Sequence, residues 1–210
     1  MKRSIFLTTI LLASVVCATA QEILTRLTEF KEFRPAIVYM ADGKKVTLPH
    51  ANIFLKNSSL LYLSNDGIAM EADMKPLMRV DFQDRMYFRI DSTLAYRVDT
   101  LDDNALYCAR VIDLKAYRQA VKNNTNITNL DLSFNTMLSY TTVEVNEEEG
   151  LPIIPRFYYR LDGKYVLAHE RHLKRILNKE KRRRMESVMS LPGFSWTDEK
   201  WLMEVLKAIR

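Results

Sequence analysis

Three times along this chain a run of strand-forming residues containing a tyrosine ends in Asp-Gly and is followed by a second such run. Tyr39 precedes Asp42-Gly43, Tyr62 precedes Asp66-Gly67, and Tyr159 precedes Asp162-Gly163. Asp-Gly between β-formers is the strongest short-range hairpin signal, because a type I′ turn needs positive φ at both central residues. Consecutive strands joined by such turns pair antiparallel. The three units are unequally spaced, so they share turn chemistry and do not form a solenoid repeat.

Strand-like runs recur about every ten residues, at 36–40, 44–48, 60–63, 68–72, 86–90, 94–98 and 105–111. That rhythm predicts an antiparallel meander, closed into a barrel or packed as a sandwich. Residues 22–33 place Ile23, Leu27, Phe30 and Phe33 three to four apart, as a short helix or an extended arm would. A short helix is expected over 113–122 with Asp113 as its cap, then an asparagine-rich loop at 123–129 and a further strand at 139–145. Glu147-Glu148-Glu149-Gly150, Pro152 and Pro155 mark an internal boundary. Beyond it, 156–167 reads as a hairpin and 170–189 as one long helix with Leu173, Ile176, Leu177, Met185, Val188 and Met189 on one face. Pro192-Gly193 ends that helix. Thr197 is the expected cap of a last helix, whose buried stripe is Trp201, Leu202, Val205, Leu206 and Ile209. The fold class expected is α+β: a β-rich part over 21–150, then a hairpin plus two helices over 151–210, free to pack as one domain.

The first twenty residues carry an address. Lys2 and Arg3 precede an apolar run over 5–16, too short to span a bilayer, and Ala18-Thr19-Ala20 is a small-x-small cleavage site. Cleavage before Gln21 would release the chain into the periplasm or the medium. Cys17 offers a lipoprotein alternative, but Val16 is not the small residue that lipoprotein processing prefers, so cleavage after Ala20 is favoured.

Removal of residues 1–20 leaves Cys108 as the single cysteine, in an apolar strand-like run where a buried, inert thiol is expected. The five glycines never cluster, which excludes a phosphate-cradling loop, and export disfavours nucleic acid. His169 and His172 lie three apart without evident further ligands, so solvated helix histidines are expected in place of a metal pair. His50 reads as a loop or strand-edge residue. No cofactor is implied. Asp91-Ser92-Thr93 and Asp99-Thr100-Leu101 resemble an Asp-Ser/Thr-apolar signature for O-glycosylation of exported proteins in some Gram-negative bacteria.

The C-terminal unit carries a wider resemblance. Phe157-Tyr158-Tyr159, Asp162-Gly163-Lys164, Leu173, a basic helix, Phe194 and Leu202 with Leu206 are similar to a segment of secreted proteins of Gram-negative bacteria. The resemblance covers 157–206 and departs at the end, where Ala208-Ile209-Arg210 replaces a terminal aromatic-Asn. It implies an envelope or extracellular location, brings no assigned activity, and carries over no catalytic residue.

Charge is concentrated. From Arg171 to Arg184 there are eight Lys or Arg and one acid, Glu180. Docking of the apolar stripe on the sheet would leave Arg171, Lys174, Arg175, Lys179, Arg182, Arg183 and Arg184 as an anion-binding surface. The partners expected are anionic lipid head groups, acidic glycans or an envelope protein. The function expected is therefore that of a non-catalytic envelope or surface binding protein. The alternative is a cell-envelope hydrolase using carboxylates on the sheet, which a deep cleft of converging acids would favour.

Overall fold

The computed structural model describes residues 27–123 and 152–210, with the side chains of 120–123 left aside. The export signal, Cys17, the start of the N-terminal arm, the asparagine-rich loop, the 139–145 strand and the acidic run at 147–149 lie outside the described residues.

Ten strands form one sheet. They are β1 (Arg34–Met40), β2 (Lys45–Phe54), β3 (Ser59–Leu63), β4 (Ala69–Glu71), β5 (Leu77–Asp81), β6 (Met86–Ile90), β7 (Thr93–Leu101), β8 (Asn104–Ile112), β9 (Ile153–Leu161) and β10 (Lys164–Leu167). Their order is β10-β9-β8-β7-β6-β5-β1-β2-β3-β4, and every pairing is antiparallel. The expected meander is present with one interruption: β5 returns to pair with β1 on the side opposite β2. No hairpin signal announces β5, which follows Pro76, and its partner lies some forty residues away. His50, expected in a loop or at a strand edge, is an exposed member of β2. Pro155, expected at a boundary, sits inside β9, whose pairing with β8 runs from Ala105↔Arg160 to Ile112↔Ile153. The C-terminal hairpin thus continues the same sheet.

The three Asp-Gly turns divide by geometry. Asp162 (φ 48°) and Gly163 (φ 77°) both take positive φ in a two-residue loop, as a type I′ turn requires. At Asp42-Gly43 and Asp66-Gly67 only the glycine does, at 84° and 75°, and the N–H of each glycine donates to the carbonyl three residues back. Those two are type I turns closed by a left-handed glycine. Asp91 and Asp102 fill the first position of two further two-residue loops with φ of 54° and 53°, which aspartate tolerates better than most residues.

The sheet is open, neither a barrel nor a sandwich, but it curls strongly. The turn after β2 meets the start of β7: Leu94 N–H donates to Ser58 O at 2.7 Å, and Ser58 Oγ–H returns a bond to Leu94 O at 2.6 Å. Inside the curl, Val38, Ala51, Ile53, Leu60, Leu77, Val80, Tyr87 and Leu94 form one buried cluster. Residues 27–33 cross the end of the sheet as an arm: Thr28 bridges Phe54, Leu55 N–H donates to Leu27 O, and Asn52 grips the arm by three bonds.

Helix α1 (Leu114–Asn123) starts at Asp113, whose carboxylate accepts from the N–H of Lys115 and Ala116. The basic stretch is two helices, α2 (Glu170–Ile176) and α3 (Lys179–Met189), where the sequence predicts one. Leu177 is extended (ψ 143°), and Asn178 caps α3 by accepting from Lys181 N–H at 2.9 Å. An asparagine side chain competes for backbone N–H groups and so favours a helix start over a helix interior. Helix α4 (Glu199–Ile209) is capped by Asp198, which accepts from Lys200 N–H at 2.8 Å, and not by Thr197. The Thr197 hydroxyl instead pairs with that of Ser195. Leu173, Leu177, Met185, Leu202, Val205, Leu206 and Ile209 bury against Leu106, Cys108, Phe157 and Tyr159 on one face of β8–β9. Such burial contributes about 1.5–3 kcal/mol per large side chain. Tyr159 also donates its hydroxyl to Leu202 O at 2.8 Å, tying α4 to the sheet.

Candidate functional site

The break between α2 and α3 redistributes the cations expected to act together. Lys174 is half-buried, bonding Glu170 at 2.7 Å and Glu186 at 2.8 Å, so it links α2 to α3. Those carboxylates raise the affinity of its ammonium for the proton. Arg184 is paired with Glu180 one turn back. Arg182 donates from Nε to Leu177 O at 2.7 Å, closing the C-terminus of α2. Arg171, Arg175, Lys179 and Arg183 are exposed, and none forms an ion pair among the described residues. Among them lies Ile176, expected in the buried stripe but 53% exposed. The helix ends at Ile176, so the extended Leu177 takes the core position and Ile176 is left outward.

The two histidines have local work. His169 Nδ1 accepts from Arg171 N–H at 3.3 Å as the cap of α2, and its ring stacks on Trp196 at 5.8 Å. His172 meets it edge-on, at 6.4 Å between centroids. No group of three or more His, Cys, Asp or Glu able to hold a metal occurs among the described residues.

A groove of about 670 Å³ runs between β7 and the start of α4, lined by Val98, Asp99, Asp198, Glu199, Trp201 and Glu204 among others. Its acids are mostly committed. Asp99 accepts from Thr100 N–H at 2.7 Å, Asp198 caps α4, and Glu204 pairs with Lys207 at 2.7 Å. Only Glu199 has neither a hydrogen bond nor an ion pair among the described residues. Three of the four acids of this groove are thus held by a neighbouring backbone N–H or by a lysine. Cys108 is fully buried in the core under the helices, and burial pushes its thiol up to about 11, so it stays protonated, as an inert core thiol does.

The opposite side of β6–β10 holds residues that the reading of the sequence did not single out. Register aligns Arg97 with Tyr107 and Tyr107 with Tyr158, and places Arg156 and Arg160 opposite Ala109 and Ala105. Tyr165 lies opposite Arg160. Phe88 and Tyr165 pack on the Tyr107 ring at 5.5 and 5.3 Å. The buried members of this face, Ile90, Ala95, Ala105, Tyr107 and Ala109, cluster with strand residues alone. Arg97, Arg156 and Arg160 are exposed, without an ion pair among the described residues. The signal was present in the alternation Arg156-Phe157-Tyr158-Tyr159-Arg160-Leu161, where one parity is apolar and the other is Arg-Tyr-Arg.

No protein-family model, curated protein or solved structure matches the chain. Among the described residues no helix is long and apolar enough to cross a membrane.

Proposed function

We propose that this is an exported, non-catalytic envelope or surface protein that binds anionic lipid head groups through α2 and α3. The observation that carries the reading is that Arg171, Arg175, Lys179 and Arg183 are exposed, and that Ile176, between them in the chain, is exposed too. Cations with an apolar side chain among them suit the boundary between head groups and acyl chains, where charge attracts and apolar area inserts. The positive start, short apolar run and Ala-Thr-Ala of residues 1–20 support export, as does the resemblance of 157–206 to secreted proteins. The hydrolase reading has weaker support, because the groove acids are held by backbone and lysine partners.

The test is co-sedimentation with phosphatidylglycerol-containing and purely zwitterionic vesicles. Binding should require the anionic lipid and weaken with salt. Replacing Arg171, Arg175, Lys179 and Arg183 by Gln should cost roughly 1 kcal/mol per residue. Arg184→Gln, already paired with Glu180, should cost less. Equal binding by the quadruple variant and the parent refutes the proposal.

A further inference from the structure

We infer that the open face of β7–β10 is a second anion site, built for a carboxylate-bearing polysaccharide. Arg97, Arg156 and Arg160 project from the face opposite the one on which α2–α4 pack, with Tyr158 between the two β9 arginines and Tyr165 opposite Arg160. Arg156 and Arg160 are four residues apart on one strand, about 13 Å at the rise of an extended chain. Arg97 stands two strands from Tyr158, about 10 Å across the sheet. No carboxylate occupies a position of this face on β6–β10. The guanidinium groups keep their forks free, and a fork matches a carboxylate with two parallel hydrogen bonds.

Charge complementarity names an acidic partner, and the tyrosines narrow it. Tyr158 and Tyr165 present amphipathic rings, apolar on the face and polar at the hydroxyl, Tyr158 on the interior strand β9 and Tyr165 on β10 at the edge of the sheet. A polymer of carboxylated sugar rings can lay apolar ring faces on the tyrosines and direct acid groups to the arginines. An extended peptide would instead seek backbone pairing along the β10 edge, away from Arg97 three strands in. The site is separate from that on α2–α3: Phe157 and Tyr159 point to the helices, whereas Arg156, Tyr158 and Arg160 point the other way. The molecule would then present two anion-binding surfaces on opposite sides of one sheet.

The experiment titrates the full mature chain with polygalacturonate, with dextran and polyglutamate as comparisons and with vesicle binding measured in parallel. Saturable, salt-sensitive binding of polygalacturonate and none of dextran is expected. Replacing Arg97, Arg156 and Arg160 by Gln should weaken it roughly tenfold, taking exposed charge pairs at their usual strength, without lowering the melting temperature or vesicle binding. Tyr158→Ala should weaken it further. Gln at Arg171, Arg175, Lys179 and Arg183 should leave polygalacturonate binding unchanged. The inference is overturned if polygalacturonate does not bind, if the sheet variant binds like the parent, or if polyglutamate binds as tightly and Tyr158→Ala leaves polygalacturonate binding unchanged.

Discussion

Asn52→Ala should loosen the N-terminal arm and destabilise the whole domain. Asn52 is fully buried on β2, and its amide makes a closed set of bonds. Its Oδ1 accepts from Phe30 N–H at 3.1 Å and from Ile53 N–H at 2.8 Å, and its Nδ2 donates to Phe30 O at 2.9 Å and Glu32 O at 3.2 Å. Three of these cross from β2 to the arm. A net hydrogen bond is worth about 1 kcal/mol, and a buried group left without a partner costs about 1–3 kcal/mol. The arm side of each bond is only partly buried, so water can reach some of the orphaned groups. That sets the expected loss at about 2–4 kcal/mol. For a domain of this size the melting temperature should fall by roughly 4–16 °C. Thermal unfolding followed by circular dichroism measures the loss, and limited proteolysis reports whether residues 27–33 open first. Asn52→Asp, which keeps the acceptor and lacks the two donors, should also destabilise. A change below about 0.5 kcal/mol with an equally protected arm would refute the clamp, because only a surface substitution is that mild.

Three further outcomes follow from the packing and titration. Met185→Ala removes a fully buried side chain between α3 and the sheet and should cost about 2–5 kcal/mol in denaturant unfolding. Asn178→Ala should cost about 1 kcal/mol through the lost cap of α3, and a gain in helix content and stability instead would mean that the break at Leu177 is not held by that cap. Cys108 should resist a thiol reagent at pH 8 in the native state and react at once in denaturant. Its thiol is raised in the fold from 9.0 to about 11, so the unfolded chain loses the proton first. This contribution is fully present below about pH 9 and is lost as pH rises towards 11. Cys108→Ala should flatten the alkaline slope over that range.

Much of the architecture was legible because its causes are local. Asp-Gly turns, alternating apolar residues and the Asp113 cap each act within a few positions, so strands β1, β3, β6, β7 and β8, helix α1 and the last hairpin could be read from neighbours in the chain. The eight cations between 171 and 184 were legible as charge, but not as a surface. Which of them stay free depended on Glu186 coming within reach of Lys174, and on Leu177 leaving the helix to enter the core.

Local chemistry by itself thus determined the element types, the antiparallel hairpins and the basic character of the C-terminal helices. The tertiary structure decided that β5 joins β1 across the chain, that the sheet curls without closing, and that Arg97 of β7 shares a face with Arg156 and Arg160 of β9. The physical reason is that strand pairing joins residues distant in sequence. A pattern of period two says that a strand has two faces, and only the neighbours it pairs with decide which of those faces is buried beneath helices.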